Sequence, residues 1–303
     1  MRVLLTGSHG LIGDALAGRL AADGHDVVRL VRTAAHGGAD AAAWDPRRGT
    51  VDTDGVVALG PYDAVVHLAG AGIGDRRWTD ARRREILESR VGPTRLVAGL
   101  VASLDPVPAV LVSASAVGYY GDRGDEELTE ESGPGKGFLA DVCRAWEGAT
   151  APAADVTRVA HVRTGIVLSA RGGALAKQLG LFRLGLGGRL GHGGQYVSWI
   201  TLDDEVAAIV RVIEDDRLAG PVNLTAPAPV TNAEFTRALA RAVHRPAILA
   251  VPRPALAAAL GSEMARELLL SSQRVLPARL AAAGHAFAHP DLEGALAAVL
   301  DGG

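Results

Sequence analysis

The first half of the chain alternates short apolar runs with longer stretches in which apolar residues recur every three or four positions. Arg2 to Thr6, Asp26 to Val31, Asp63 to Leu68, Ala109 to Ser113 and Arg158 to Thr164 are rich in Val, Leu and Ala and barely alternate with polar residues. Continuous apolar runs of this length predict strands buried on both faces. Between them, Leu11 to Ala22, Asp80 to Leu104 and Gly137 to Thr150 read as helices, the first closing near Gly24. Strands alternating with helices at this spacing predict an α/β fold with a doubly wound parallel sheet.

The pattern changes beyond about residue 170. Leu184 to Gln195 (LGLGGRLGHGGQ) is rich in glycine and predicts no regular element. Thr201 to Asp215 reads as a helix with Asp203 and Asp204 near its N-terminus, where the helix dipole favours acids. Pro221 to Leu224 reads as a last strand, and from Thr231 the chain is Ala- and Leu-rich helix broken by prolines. Thr33 to Ala43 reads as a loop. Residues 1–165 with 201–224 are expected to form the sheet domain. Residues 166–200 with 225–303 are expected to form a smaller, mostly helical substrate domain.

Composition narrows the partners. The chain has 303 residues, 31 basic and 34 acidic side chains and a net charge of -3. It lacks the basic footprint of a nucleic-acid binder. The stretch from Arg76 to Arg90 is basic, but acids are interspersed and Trp78 is its only aromatic, so it reads as a solvated helix face. The single cysteine, Cys143, allows no internal disulfide, and the histidines show no ligand spacing, so no metal site is expected. No secretory signal and no transmembrane run is read, which gives the expectation of a cytoplasmic protein. Lys136 and Lys177 are the only lysines, so arginine carries nearly all the positive charge.

Thr6 to Gly13 reads TGSHGLIG, with glycines at Gly7, Gly10 and Gly13 immediately after the first strand and opening the first helix. Gly7 permits a tight turn, Gly10 a close backbone approach, and Gly13 the packing of helix on strand. The amides of Ser8, His9, Gly10, Leu11 and Ile12 then face an anion such as a pyrophosphate. An NAD-binding chain usually places Asp or Glu at the tip of the second strand. Here the strand ends Leu30-Val31-Arg32. An arginine at that tip can grip a 2′-phosphate with a planar, charge-assisted fork, which predicts NADP(H) as the cofactor.

Several further stretches carry a family resemblance: HLAG at 67–70, SASAVGYYG at 113–121, GFLADVCRAWE at 137–147, RTGIVLSARGGAL at 163–175, FRLGLGG at 182–188 and SWITLDD at 198–204. Together with the glycine turn they resemble the extended short-chain dehydrogenase/reductases. More narrowly, they resemble the atypical branch called the epimerase family, with its own small C-terminal domain. The resemblance implies a Rossmann domain that binds NADP(H). In it Val31 and Arg32 meet the adenosine ribose and its phosphate, and Leu68, Ala69 and Gly70 pass the cofactor. Ser113 ends its strand on the cofactor side, Val167 lies near the nicotinamide, and Glu85 and Arg90 approach the cofactor from the long helix. His67 resembles the family's strand-end histidine and reads as structural. An oxidoreductase or epimerase acting on a small polar substrate is implied, and a homodimer is compatible with it.

Ordinary relatives use Ser, Tyr-x-x-x-Lys and often Asn. The Tyr is the general acid/base, and the Lys lowers its pKa. Ser115 takes the serine position. Aligning on Glu147 puts Leu139 at the tyrosine position, Cys143 at the lysine position and Arg90 at the Asn position. Candidate acid/base groups are then Tyr119 and Tyr120, with packing under a loop as the alternative. Cys143 reads as a small buried residue, a ribose contact or a reactive thiol. These departures keep a second reading open: an NADP(H)-binding sensor or scaffold with reduced catalysis. The resemblance makes Arg189, Gln195, Trp199 and Lys177, in segments that approach the substrate in extended members, candidates for the substrate pocket, and the acidic run Asp122 to Glu131 reads as an exposed loop over the active-site mouth.

Overall fold

The computed structural model describes residues 1–32 and 38–301. Its centre is an eight-stranded sheet. The strands are β1 (Arg2–Thr6), β2 (Asp26–Val31), β3 (Ala41–Asp45), β4 (Thr50–Val51), β5 (Ala64–His67), β6 (Val110–Ala116), β7 (Arg158–Thr164) and β8 (Gly220–Leu224). Their spatial order is β8-β7-β6-β5-β1-β2-β3-β4, and every pair except β3–β4 is parallel.

The apolar runs are continuous because both faces are covered. Val3 and Leu5 pack with Leu16 and Leu20 of helix α1 (Leu11–Ala22) and with Val206 and Ile209. Leu4 points the other way, to Val97 and Val101 of helix α2 (Asp80–Ser103). Helix α3 (Phe138–Gly148) follows β6, and helix α4 (Leu202–Glu214) precedes β8. The chain order reverses between β1 and β5, so a crevice opens beyond their carboxyl ends, the usual ligand site of such sheets.

A third apolar cluster joins Leu168, Leu175 and Trp199 to Phe235, Leu239, Leu292 and Leu296. It gathers segments that come before and after β8 in sequence. No helix among the described residues is long and apolar enough to cross a membrane.

Three expectations are corrected. Residues 41–43 are strand, paired with Arg29, Leu30 and Val31, while residues 33–37 lie outside the described residues. Alanine has little strand preference of its own, and pairing with β2 overrides it. Inside the glycine-rich stretch, Gly188–Leu190 is a strand parallel to Leu249–Val251. A Cβ on Gly188 would stand 2.5 Å from the Leu249 carbonyl oxygen, so glycine here permits the pairing instead of breaking it. In the acidic run, Glu127–Leu128 pairs with Arg274–Val275, and Glu130 is buried, accepting hydrogen bonds from the Asn223 and Arg279 amides.

Candidate cofactor and active site

The glycine turn lies at the sheet's switch point. Gly7 has φ +72°, and a Cβ on it would stand 2.8 Å from the Leu68 carbonyl carbon. Strand β1 and strand β5 can therefore approach this closely only with glycine there. A Cβ on Gly13 would stand 2.2 Å from the Gly7 carbonyl oxygen, which itself accepts the Gly10 amide at 2.9 Å. No side chain caps α1, so its first amides remain available to an anion. The Ser8 hydroxyl is buried without a partner among the described residues. A buried orphan donor beside free amides is the signature of a site built for a ligand oxygen.

A cavity of about 970 Å³ opens from this turn. It brings together Gly7, Ser8, His9 and Gly10, Val31 and Arg32, Leu68, Ala69 and Gly70, and Glu85. Its volume suits a large ligand. Leu11, Ile12 and Gly13 run into the helix behind it; Leu11 lies against Gly172 and Gly173. The wall also holds residues that sequence reasoning missed: Trp44, Pro46, Arg47, Glu88, Ser89 and Pro93. Trp44, Pro46 and Arg47 were hidden because the strand that leads to them was read as loop, whereas Glu88, Ser89 and Pro93 lie on the long helix, whose cavity-facing side the sequence alone does not mark. Glu85 accepts from Arg82 at 2.7 Å. That hydrogen bond holds its carboxyl below the usual range, and the Arg82, Arg76 and Arg47 cations add to the effect. His67, fully buried, precedes the cavity residues Leu68 to Gly70 in the chain. Its ring nitrogens bond Thr6 at 2.7 Å and Thr94 at 3.0 Å, and burial pushes its pKa down to about 4.

Beyond the cavity, Ser115 donates to the Glu147 carboxylate at 2.7 Å. Arg163, beside Ser115 in the parallel register, grips Glu147 bidentately at 2.8 and 2.9 Å. The same guanidinium donates to the Tyr120 hydroxyl at 3.0 Å and stacks 3.4 Å from the Tyr119 ring centre. Tyr120 in turn donates to Asn223 at 2.7 Å and is fully buried, which pushes its phenol pKa up. Tyr119 is half-buried, and no hydrogen bond to its hydroxyl occurs among the described residues. Sequence reasoning used Glu147 only to align the helix and passed over Arg163. Two charged residues in separate apolar stretches are a weak signal until the register joins them.

Cys143 is buried, with its thiol 3.7 Å from the Ala116 carbonyl, and burial pushes its pKa up to about 12. Such a thiol is neutral at physiological pH, the opposite of what a nucleophile needs. Arg90 is buried as well. It donates to the Ile86 and Ala71 carbonyls at 3.0 and 2.9 Å and stacks 4.9 Å from the Trp146 ring. The basic stretch is thus not uniformly solvated, since Arg82 and Arg90 point inward. The Ser113 hydroxyl is buried without a partner among the described residues, next to His67 in register. Val167 sits in a short strand, Ile166–Leu168, paired with Trp199–Thr201.

The substrate-pocket candidates scatter. Trp199 is fully buried in the third cluster, so it packs the core and does not line a pocket. Gln195 is buried and donates to the Leu190 and Leu269 carbonyls. Lys177 pairs with Asp75 at 2.8 Å, and Arg189 donates to the His192 carbonyl. The Glu267 carboxylate accepts the Phe138 and Leu139 amides at 3.1 and 2.9 Å, so a residue from the C-terminal segment caps α3. No cluster placed to hold a metal occurs among the described residues.

A doubly wound sheet with a glycine turn at its switch point defines a Rossmann-type fold with a dinucleotide-shaped site. The NAD dependent epimerase/dehydratase family model matches residues 3–224, and a model described as a domain of unknown function (DUF1731) matches residues 251–299. The chain belongs to the NAD dependent epimerase/dehydratase family. It is 48% identical to an epimerase family protein of Mycobacterium bovis over 97% of this chain and 96% of that one. The crystal structure of human epimerase family protein SDR39U1 with NADPH superposes at a TM-score of 0.90, with 34% identity and 99% of both chains covered. A nucleoside-diphosphate sugar epimerase structure from Corynebacterium glutamicum matches at a TM-score of 0.80 and 42% identity, over 99% of this chain and 57% of that one.

Proposed function

We propose that this protein binds NADP(H) and is an oxidoreductase or epimerase acting on a small polar substrate. The observation that carries this reading is the glycine turn at the switch point. Its free amides, the orphaned Ser8 hydroxyl and the Gly7–Leu68 contact fit a pyrophosphate. Arg32 on the cavity rim fits a 2′-phosphate. The similar human protein solved with NADPH supports the same cofactor. When bound, the nicotinamide supplies hydride chemistry. The residues of this chain hold and orient: Gly7 to Gly10 the pyrophosphate, Arg32 the adenosine phosphate, Leu68 to Gly70 the backbone passage. Arg90 places a buried cation between the cofactor strand and α3. Ser115 and Tyr119 are the hydroxyls offered to a substrate.

One observation favours a second reading, a nucleotide-binding sensor or scaffold without turnover. By the family resemblance, Leu139 and Cys143 take the positions at which a phenol and a cation serve relatives of ordinary mechanism. The Ser115 proton is also committed to Glu147. The test is to incubate the protein with NADPH and a panel of carbonyl compounds and sugar nucleotides, then repeat with Ser115→Ala and Arg90→Ala. Turnover lost in Ser115→Ala supports the enzyme. Tight NADPH binding with no turnover on any member of the panel supports the sensor. NADH bound more tightly than NADPH overturns the role given to Arg32.

A further inference from the structure

We infer that Arg47 is a second arm of the 2′-phosphate site and, with Arg32, sets the preference for NADP(H). This inference rests on the NADP(H) reading above and adds a residue to it. Strand β3 lies beside β2 in parallel register, with Val31 opposite Ala43. The chain leaving β2 at Arg32 therefore runs beside Trp44, and the β3–β4 turn stands next to the tip of β2. Arg32, Trp44, Pro46 and Arg47 all line the same cavity.

The turn presents its two arginines differently. The Asp45 carboxylate accepts the Arg47 and Arg48 amides at 3.0 and 3.2 Å, which fixes the backbone. The Arg48 side chain then folds back to Asp45, 3.5 Å away. Arg47 is exposed, and its guanidinium has no hydrogen-bond or ion-pair partner among the described residues. Its charge is nevertheless felt by Glu85 across the cavity. An unengaged guanidinium held by a fixed turn on the rim of an anion site is poised for charge-assisted bonding to a phosphate dianion. Arg32 approaches from one strand end and Arg47 from the next, so the phosphate would lie between two forks. The non-phosphorylated ribose of NAD(H) offers nothing for the second fork to grip.

The test is fluorescence titration of NADPH and NADH with the full chain and with Arg47→Met, which keeps the aliphatic stem. Adenosine 2′,5′-bisphosphate and AMP serve as competitors that isolate the adenosine end. Arg47→Met should weaken NADPH and the bisphosphate by roughly tenfold or more, the scale of one charge-assisted hydrogen bond. NADH and AMP should be unchanged. Arg47→Glu should weaken NADPH further still. Equal weakening of NADPH and NADH would assign Arg47 to the shared part of the cofactor and overturn the inference. A wild-type preference for NADPH that is undiminished in Arg47→Met overturns the clamp alone. A wild-type protein without that preference overturns the NADP(H) reading as well. Because the side chain is exposed, an unchanged melting temperature is expected for both variants and checks that affinity, not folding, is being read.

Discussion

Glu205 should make the protein less stable as pH rises, and Glu205→Gln should remove that slope. The residue lies in the first turns of α4 but faces inward and is fully buried. Thr164 donates to one carboxylate oxygen at 2.7 Å, and the other oxygen has no partner among the described residues. Burial pushes the pKa from 4.5 up to about 8, against a smaller opposing effect from Thr164. The folded state therefore binds a proton that the unfolded state has released between these two values. Stability associated with this group is fully present below pH 4.5 and is lost as pH climbs through 8. The slope is about 1.4 kcal/mol per pH unit, so the loss is about 3 kcal/mol at pH 7 and about 5 kcal/mol above pH 8. Glutamine keeps the acceptor for Thr164 and cannot ionise. Urea denaturation at pH 5, 6, 7 and 8 should show the variant gaining on the wild type by about 1.4 kcal/mol per unit. Parallel stability curves for the two proteins would refute the reasoning.

His67 acts on the other limb. Its folded pKa of about 4 lies below the usual 6.5, so its stabilisation is present above pH 6.5 and is lost as pH falls through 4. The loss is about 3 kcal/mol, and His67→Asn should flatten the acid limb in urea titrations. Gly13→Ala forces a Cβ to 2.2 Å from the Gly7 oxygen, so the turn must open. It should cost about 1–3 kcal/mol in stability and weaken NADPH by at least roughly tenfold in fluorescence titration. Glu147→Leu or Arg163→Met breaks a pair whose side chains are only 12% and 3% exposed. Each should cost about 3–5 kcal/mol, while Glu147→Leu combined with Arg163→Met should recover part of the loss in a double-mutant cycle. Additive losses would mean that the two residues do not stabilise each other.

What was legible in the sequence was local. Arg2 to Thr6 followed by three glycines contains its own geometry, because strand, turn and helix are adjacent in the chain. Their steric reason, the approach of Gly7 to Leu68, involves one distant partner that the sheet order supplies. The short strand at Ala41–Asp45 was not legible, since its alanines become strand only by pairing with β2. Losing that strand also hid Trp44 and Arg47, which stand on its end and the turn beyond. The buried network was not legible for a similar reason. Ser115 and Arg163 meet only through the register of β6 and β7, and Glu147 reaches both from α3. Trp199 looked like a pocket residue because a motif carried it there, yet the third cluster claims its whole surface.

The departures at positions 90 and 143 make sense together. By the family resemblance, these positions correspond to a neutral Asn and a cationic Lys in relatives of ordinary mechanism; this chain has a cationic Arg and a neutral Cys. One buried positive charge is kept, but it has moved from α3 to α2. On α3 a cation could acidify a phenol one turn away. Leu139 offers none there, and the Gly118 backbone packs against it, since a Cβ on Gly118 would stand at contact distance, 3.4 Å from the Leu139 Cβ and 3.7 Å from the Cys143 sulfur. On α2 the guanidinium is held by the Ile86 and Ala71 carbonyls and the Trp146 face, beside Gly70. A planar cation fixed in that way is placed to orient what lies against the end of β5; burial lowers its pKa, but a guanidinium keeps its charge in proteins. Proton transfer at this site therefore has neither a phenol nor a cation on α3 to draw on; the ionisable group that α3 brings to Ser115 is the Glu147 carboxylate.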